Sequence, residues 1–111
     1  MSVVRSLDPR RREDLLRDLR SLARRLRDEL GVEAVYVFGS FARNEEHDGS
    51  DLDLLVVGDV PGRVFERIGE VLRRTPLPVE PIVIRRGDLE RRLAAGHPFY
   101  TRILREAQRL D

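Results

Sequence analysis

The first part of the chain carries hydrophobic side chains at helical spacing. Asp8-Pro9 has the form of a helix N-cap followed by a first-turn proline, and Gly31 supplies a stop. Between them, leucines recur at intervals of three or four residues: Leu15, Leu19, Leu22, Leu26 and Leu30. The pattern predicts an amphipathic helix. Its opposite face is rich in arginine, and we interpret this face as solvent-exposed rather than as a nucleic-acid-binding surface.

Three β-prone runs follow this helix. They are Val35 to Phe38, which ends at Gly39-Ser40, then Leu52 to Val57 between two glycines, and then Val79 to Ile84. The third run contains Pro81, which cannot donate a hydrogen bond to a neighbouring strand. We therefore expect the first two runs to be buried central strands and the third to lie at a sheet edge or to carry a bulge.

Further helices are expected around these strands. A short helix can follow Gly39-Ser40, Pro61 has the form of the first residue of a helix that ends before Thr75-Pro76, and Asp88 can cap another through Leu93. Pro98 can begin a last helix through Arg109. The order α-β-(α)-β-α-β-α-α predicts an α/β (α+β) fold, with residues 1–111 forming a single domain.

The composition argues against a membrane-spanning protein, a disulfide-stabilised protein and a strong nucleic-acid-binding protein. No apolar run approaches the ~20 residues that cross a bilayer, and the N-terminus lacks the apolar stretch of a signal peptide. The absence of cysteine excludes a disulfide framework, so the cytoplasm is the expected compartment. The 21 basic and 20 acidic residues nearly cancel to +1, which is not the charge of a protein that binds nucleic acid strongly.

The chemistry-bearing residues lie around the first two strands. Because side chains alternate along a strand, Asp51 and Asp53 share one face, where a divalent cation would relieve their repulsion. Gly39 allows close approach of the backbone to a ligand, and Ser40 adds a hydroxyl group and an amide that suit phosphate. Arg43 is near enough in sequence to reach the same anion. A strand-start cap for the two aspartates and a simple tight turn at Gly39-Ser40 are the structural alternatives.

These residues resemble a known family. Gly39-Ser40, then ten residues, then Asp51-x-Asp53 resembles the signature of the minimal nucleotidyltransferases of the DNA polymerase β superfamily. The likeness extends over Val35 to Arg43 and the tail from Pro98 to Glu106, and covers roughly residue 10 to the end. It implies a polymerase β-like fold, a small mixed β-sheet flanked by helices.

The resemblance also implies roles for these residues. Asp51 and Asp53 would hold Mg²⁺, with Gly39, Ser40 and Arg43 binding ATP or another nucleoside triphosphate. The family's third carboxylate falls at Glu80, either as a metal ligand or as the base for the attacking hydroxyl. The implied reaction is transfer of a nucleotide to that hydroxyl, with AMP from ATP as the expected nucleotide.

The same resemblance implies a partner protein. Relatives of this size act as the antitoxin half of toxin-antitoxin pairs and modify a HEPN-domain ribonuclease, commonly on a tyrosine. The alternative is a binding-only antitoxin or regulatory subunit that keeps the fold without the chemistry. Tyr36 and Tyr100 are candidate acceptors as well as candidate core residues. The sequence leaves open whether copies of the chain form a homo-oligomer.

Overall fold

The computed structural model describes residues 9–45 and 51–111 of the chain. Helices and strands follow one another as α1 (Pro9–Leu30), β1 (Ala34–Phe38), α2 (Gly39–Ala42), β2 (Leu52–Val57), α3 (Val64–Leu72), β3 (Val79–Ile84), α4 (Arg86–Ala94), α5 (Pro98–Glu106) and β4 (Gln108–Arg109). This is the mixed α/β architecture that the sequence predicts, with an added fourth strand. The assignment of all 111 residues to one domain stays a prediction.

The strands form one mixed sheet in the order β3-β2-β1-β4. β1 runs antiparallel to both β2 and β4, whereas β2 and β3 are parallel. A parallel pair needs a crossover connection, which α3 supplies between β2 and β3. β3 lies at the sheet edge, so the edge position expected from Pro81 is confirmed.

Both faces of the sheet are covered. Alternate residues of β2 serve the two sides: Leu52, Leu54 and Val56 pack in the cluster that includes α1, whereas Leu55 and Val57 pack in the cluster that includes α4 and α5. This double burial explains why the β2 sequence reads as an almost continuous hydrophobic run. Asp53 interrupts the run at the end of the strand nearest α2, on the same face as Leu55 and Val57.

Two helices begin at residues other than those expected. α1 spans the expected Pro9–Leu30, and its expected cap, Asp8, lies outside the described residues. α3 begins at Val64 rather than at Pro61, because Gly62 has a φ of +101° and breaks the helical path. α4 begins at Arg86, so Asp88 lies inside its first turn rather than capping it.

The predicted end of the last helix was wrong. α5 ends at Glu106 rather than at Arg109, because Ala107 takes an extended conformation with φ −69° and ψ 146°. The chain then pairs with β1 as β4, and the Leu110 amide donates to the Val35 carbonyl at 2.8 Å. None of the described helices combines the length and hydropathy of a bilayer-spanning segment.

Candidate active site

Three carboxylates meet at one end of the sheet. The register pairs Asp53 of β2 with Phe38 of β1 on one side and with Glu80 of β3 on the other. Paired residues of adjacent strands share a face, so Glu80 lies beside Asp53. Asp51 precedes β2 by one residue and interacts with both other carboxylates. The two aspartates and Glu80, which the sequence singled out separately, are therefore neighbours.

The pKa values of Asp53 and Glu80 reflect the closeness of these carboxylates. Partial burial raises the pKa of Asp53 above its usual range, the charge of Asp51 raises it further, and Arg43 opposes both effects. Glu80 is exposed, and its pKa is raised by a hydrogen bond with Asp51 and by the charge of that residue. Ionised together, these groups repel one another.

This donor set fits a divalent cation in its chemistry. All of its potential ligands are carboxylate oxygens, the ligand type that Mg²⁺ and similar ions prefer. A bound positive ion would also relieve the repulsion between the carboxylates. Among residues 9–45 and 51–111, no three acidic or histidine side chains close around one point as a complete cation site. Side-chain adjustment on binding would thus be needed to bring the oxygens of Asp51, Asp53 and Glu80 onto one ion.

The Gly39-Ser40 bend packs directly on Asp53. Gly39 begins α2 with a φ of +71°, and a Cβ added there would overlap the carboxylate oxygen Oδ2 of Asp53 and lie 3.1 Å from its Cγ. Only glycine combines this backbone with this contact. Ser40 follows as a partly exposed residue of α2. The expected closeness of the bend to the acidic residues is therefore present at Asp53.

Arg43 follows α2 and is held by two carboxylates. Its Nη1 donates to Glu106 Oε1 at 3.1 Å, and its Nε donates to Glu45 Oε2 at 2.9 Å. Its Nη2 makes no hydrogen bond to any residue of the described ranges. Arg43 thus lies beside the acidic group, where its charge lowers the pKa of Asp53, and retains one donor nitrogen.

Sequence reasoning missed two features of this site. Glu106, from the end of α5, also accepts the Gly39 amide at 3.3 Å. The only sequence signal for it was its place in the tail that resembles the minimal nucleotidyltransferases. The second feature is a groove of about 540 Å³ that opens next to the acids. It is lined by Phe38, Asp53, Ile68, Leu72, Val79, Glu80, Pro81, Ile82 and Phe99.

Comparison with known proteins identifies the family. The model of the nucleotidyltransferase domain matches residues 19–108, which include the bend, the three carboxylates, Arg43 and Glu106. The chain belongs to the nucleotidyltransferase domain family. Proteins with this domain transfer nucleotides, and the domain generally uses divalent metal ions, in agreement with the oxygen-rich site.

A solved structure supports the same assignment. The nucleotidyltransferase fold matches the 1.40 Å crystal structure of an inferred nucleotidyltransferase from Sulfolobus solfataricus with a TM-score of 0.60 and 31% sequence identity. The match covers 72% of this chain and 75% of that one. A search of the curated proteins finds no match.

Proposed function

We propose that this nucleotidyltransferase domain transfers AMP, or another nucleotide from its triphosphate, to a hydroxyl group on a partner protein. One observation carries the proposal: the Gly39 bend packs against Asp53 so closely that only glycine fits, and Glu80 pairs with Asp53 in the sheet. A phosphate-binding bend and a group of carboxylates at one point are what nucleotidyl transfer requires.

Each residue has a role in this proposal. Asp51 and Asp53 would hold Mg²⁺, with Glu80 as a further ligand when it does not act as the base, and the bound ion would supply positive charge that stabilises the phosphate oxygens. The Ser40 hydroxyl and the backbone of the bend bind the triphosphate, and Nη2 of Arg43, which has no hydrogen bond within residues 9–45 and 51–111, adds a charged donor. The residues thereby fix the α-phosphorus close to the sheet end.

Glu80 is the candidate base. It is exposed and lines the groove, so its carboxylate can meet the hydroxyl group of an acceptor bound there. In the proposed step, the acceptor oxygen bonds to the α-phosphorus while Glu80 takes its proton, and the bond to the leaving oxygen breaks to release pyrophosphate.

The proposed acceptor is a HEPN-domain toxin, with this chain as its antitoxin and both proteins in the cytoplasm. The resemblance to minimal nucleotidyltransferases supports this pairing. A surface feature supports an acceptor of protein type: the large hydrophobic side chains that the described residues leave exposed all lie on α3 and α5, and two of them, Leu72 and Phe99, line the groove. The exposed side chains are those of Val64, Phe65, Leu72 and Phe99.

The test is transfer of label from α-labelled ATP with Mg²⁺ to a purified HEPN-domain protein from the same genome. We expect the wild type to label the partner and Asp53→Asn to lose the labelling while keeping its fold. Asp59→Asn is the matched control, because Asp59 is an exposed aspartate just beyond the other end of β2. Labelling by Asp53→Asn would contradict the proposal.

A thermal-shift titration separates this function from that of a binding-only antitoxin. Ligand that binds only the folded state raises the melting temperature. We expect ATP to stabilise the wild type when Mg²⁺ is present and to stabilise Asp53→Asn far less. If Mg²⁺ and ATP leave the melting temperature of the wild type unchanged, the regulatory subunit without chemistry becomes the better account.

A further inference from the structure

The carboxylate of Glu106 holds both ends of the short helix α2. Its Oε1 accepts the N–H of Gly39, the first residue of the helix, at 3.3 Å. Both of its oxygens accept from Nη1 of Arg43, the residue that follows the helix, at 3.1 Å and 3.2 Å. Glu106 lies in the last turn of α5, so these contacts join α5 to the bend.

Helix α2 has no side-chain cap at its N-terminus. Phe38 occupies the N-cap position and offers no side-chain hydrogen bond, so the Gly39 amide depends on a partner from elsewhere in the chain. A helix of four residues is also far too short to be stable by itself. The conformation of the bend therefore depends on its contacts, and Glu106 supplies the contact at its first amide.

The negative charge of Glu106 is unfavourable for its surroundings. It raises the pKa of Asp53, and it adds an anion to a site proposed to receive a triphosphate. Glutamine could accept the Gly39 amide without this cost, but it could not form an ion pair with Arg43. The carboxylate is therefore explained by Arg43, whose guanidinium it orients while satisfying the bend.

We propose that Glu106 is a positioning residue of the nucleotide site, which fixes the Gly39-Ser40 bend against Asp53 and orients Arg43 before the triphosphate binds. The proposal rests on the function given above, because it assigns the bend and Arg43 to phosphate binding. Glu106 touches neither the substrate nor the reacting atoms in this scheme. It acts through the two residues that it holds.

The experiment measures the binding of tripolyphosphate with Mg²⁺ by calorimetry, at a temperature where every variant is folded. Tripolyphosphate carries the phosphates common to all nucleoside triphosphates, so the unknown base preference does not enter. We expect Glu106→Ala to weaken binding by about tenfold or more, and Glu106→Gln, which keeps an acceptor for the Gly39 amide, by about threefold.

Glu90→Gln is the matched control. Glu90 is an exposed glutamate of α4 that lies 3.8 Å from Arg86, and its substitution removes the same charge outside the site. We expect this variant to bind tripolyphosphate like the wild type. Hydrogen exchange of the Gly39 amide provides a second measurement: protection should persist in Glu106→Gln and fall at least tenfold in Glu106→Ala.

The outcomes separate this inference from the proposed function. If Glu106→Ala binds tripolyphosphate as tightly as the wild type or more tightly, the role of Glu106 is overturned. A carboxylate that only repels phosphate would weaken binding, so its removal would strengthen it. Unchanged exchange of the Gly39 amide would overturn it as well. If the wild type binds no tripolyphosphate while Glu106 protects the Gly39 amide, the proposed function fails and the assigned role falls with it.

Discussion

Gly39 and Gly31 share a left-handed backbone but differ in their surroundings. Their φ angles are +71° and +68°, yet a Cβ at Gly39 would overlap Asp53, whereas a Cβ at Gly31 would meet nothing within 4 Å. We expect Gly31→Ala to lower the free energy of unfolding by about 1 kcal/mol, from backbone strain alone. Gly39→Ala should cost about 2–4 kcal/mol, because the Asp53 carboxylate must also move.

Urea unfolding of both variants measures this difference. Gly39→Ala should in addition lose its stabilisation by Mg²⁺ and ATP, whereas Gly31→Ala should keep it. Equal unfolding free energies for the two variants would show that Asp53 moves aside freely and that the bend is not fitted to it.

Asp53 is expected to make the metal-free protein less stable. The folded state binds the proton of this carboxyl more tightly than the unfolded chain does, because burial and Asp51 raise its pKa. Stability should therefore fall as the pH rises from the ordinary aspartate range through the raised pKa. Asp53→Asn removes the charge, and because Asp53 is partly exposed and solvent screens its repulsion, we expect the variant to gain no more than about 0.5 kcal/mol near neutral pH without divalent cations.

Chemical unfolding at several pH values checks this gain. The advantage of Asp53→Asn should disappear in acid, at pH values below about 3, where the aspartate is largely protonated in the unfolded chain as well as in the folded one. An advantage that persists unchanged at low pH would contradict the electrostatic cause.

The candidate site could be predicted in part from single residues. Strand alternation was sufficient to place Asp51 and Asp53 together, because that rule is local. Glu80 joins them only through the pairing of β2 with β3, which no local pattern specifies. Glu106 is 67 positions from the glycine whose amide it accepts, and an isolated glutamate near a helix end carries no sign of such a contact.

At the scale of the elements, β4 is fixed by one buried side chain. Asp111 has a side chain that is 1% exposed and lies 3.2 Å from Nη1 of Arg27. It also accepts the Val35 amide at 3.2 Å and pairs with Arg109 at 3.1 Å. These contacts fasten the end of the chain to β1 and to α1.

Asp111→Asn should weaken this attachment. Burial alone would raise the pKa of Asp111, but the hydrogen bonds from Arg109 and the Val35 amide outweigh it and lower the pKa. A lowered pKa means that the carboxylate stabilises the fold above the ordinary aspartate range, and that this contribution is lost as the pH falls through the lowered value. We expect Asp111→Asn to cost about 1–3 kcal/mol at neutral pH.

Urea unfolding at neutral and acidic pH measures this cost. Asp28→Asn, at an exposed position of α1, serves as the control and should change stability little. The cost of Asp111→Asn should shrink in acid, and a cost that grows instead would refute the assigned role of the carboxylate.

The long, strongly patterned elements were predictable from sequence, and the short ones were not. α1, β2 and β3 have the bounds expected from spacing and from their flanking Gly and Pro residues. β4 has two residues and lacks any pattern of its own, so only its pairing with β1 defines it. The start of α3 was misplaced because Pro61 suits a first turn, whereas Gly62 then breaks it.

At the scale of the whole molecule, a trough follows the free edge of the sheet. The groove beside the acids and a second cavity of about 300 Å³ share Ile68, Pro81 and Ile82 as lining residues, so they adjoin each other along β3. Phe65 is adjacent in sequence to Val64, which lines the second cavity, and it is 86% exposed. In the function proposed above, the partner protein that supplies the acceptor hydroxyl would cover this surface.

Phe65→Ser tests the trough as an acceptor surface. Because the side chain is so exposed, its truncation should leave the melting temperature and the stabilisation by Mg²⁺ and ATP unchanged. Nucleotide transfer to the proposed HEPN partner should fall by about tenfold, as expected when a hot-spot aromatic of an interface is lost. Arg24→Ser, which shortens an exposed side chain of α1, should transfer normally, and equal rates in both variants would remove the trough from the acceptor site.

The parallel pairing of β2 with β3 makes the site sensitive to chain length in one place and tolerant in another. Extra residues between α3 and β3 can form a longer loop while every residue pair between β2 and β3 is kept. A single residue inserted between Val79 and Glu80 would instead turn the glutamate carboxylate through the sheet to its opposite side, away from Asp53. Natural insertions and engineered loops should therefore accumulate before Val79 and be absent from the step that follows it.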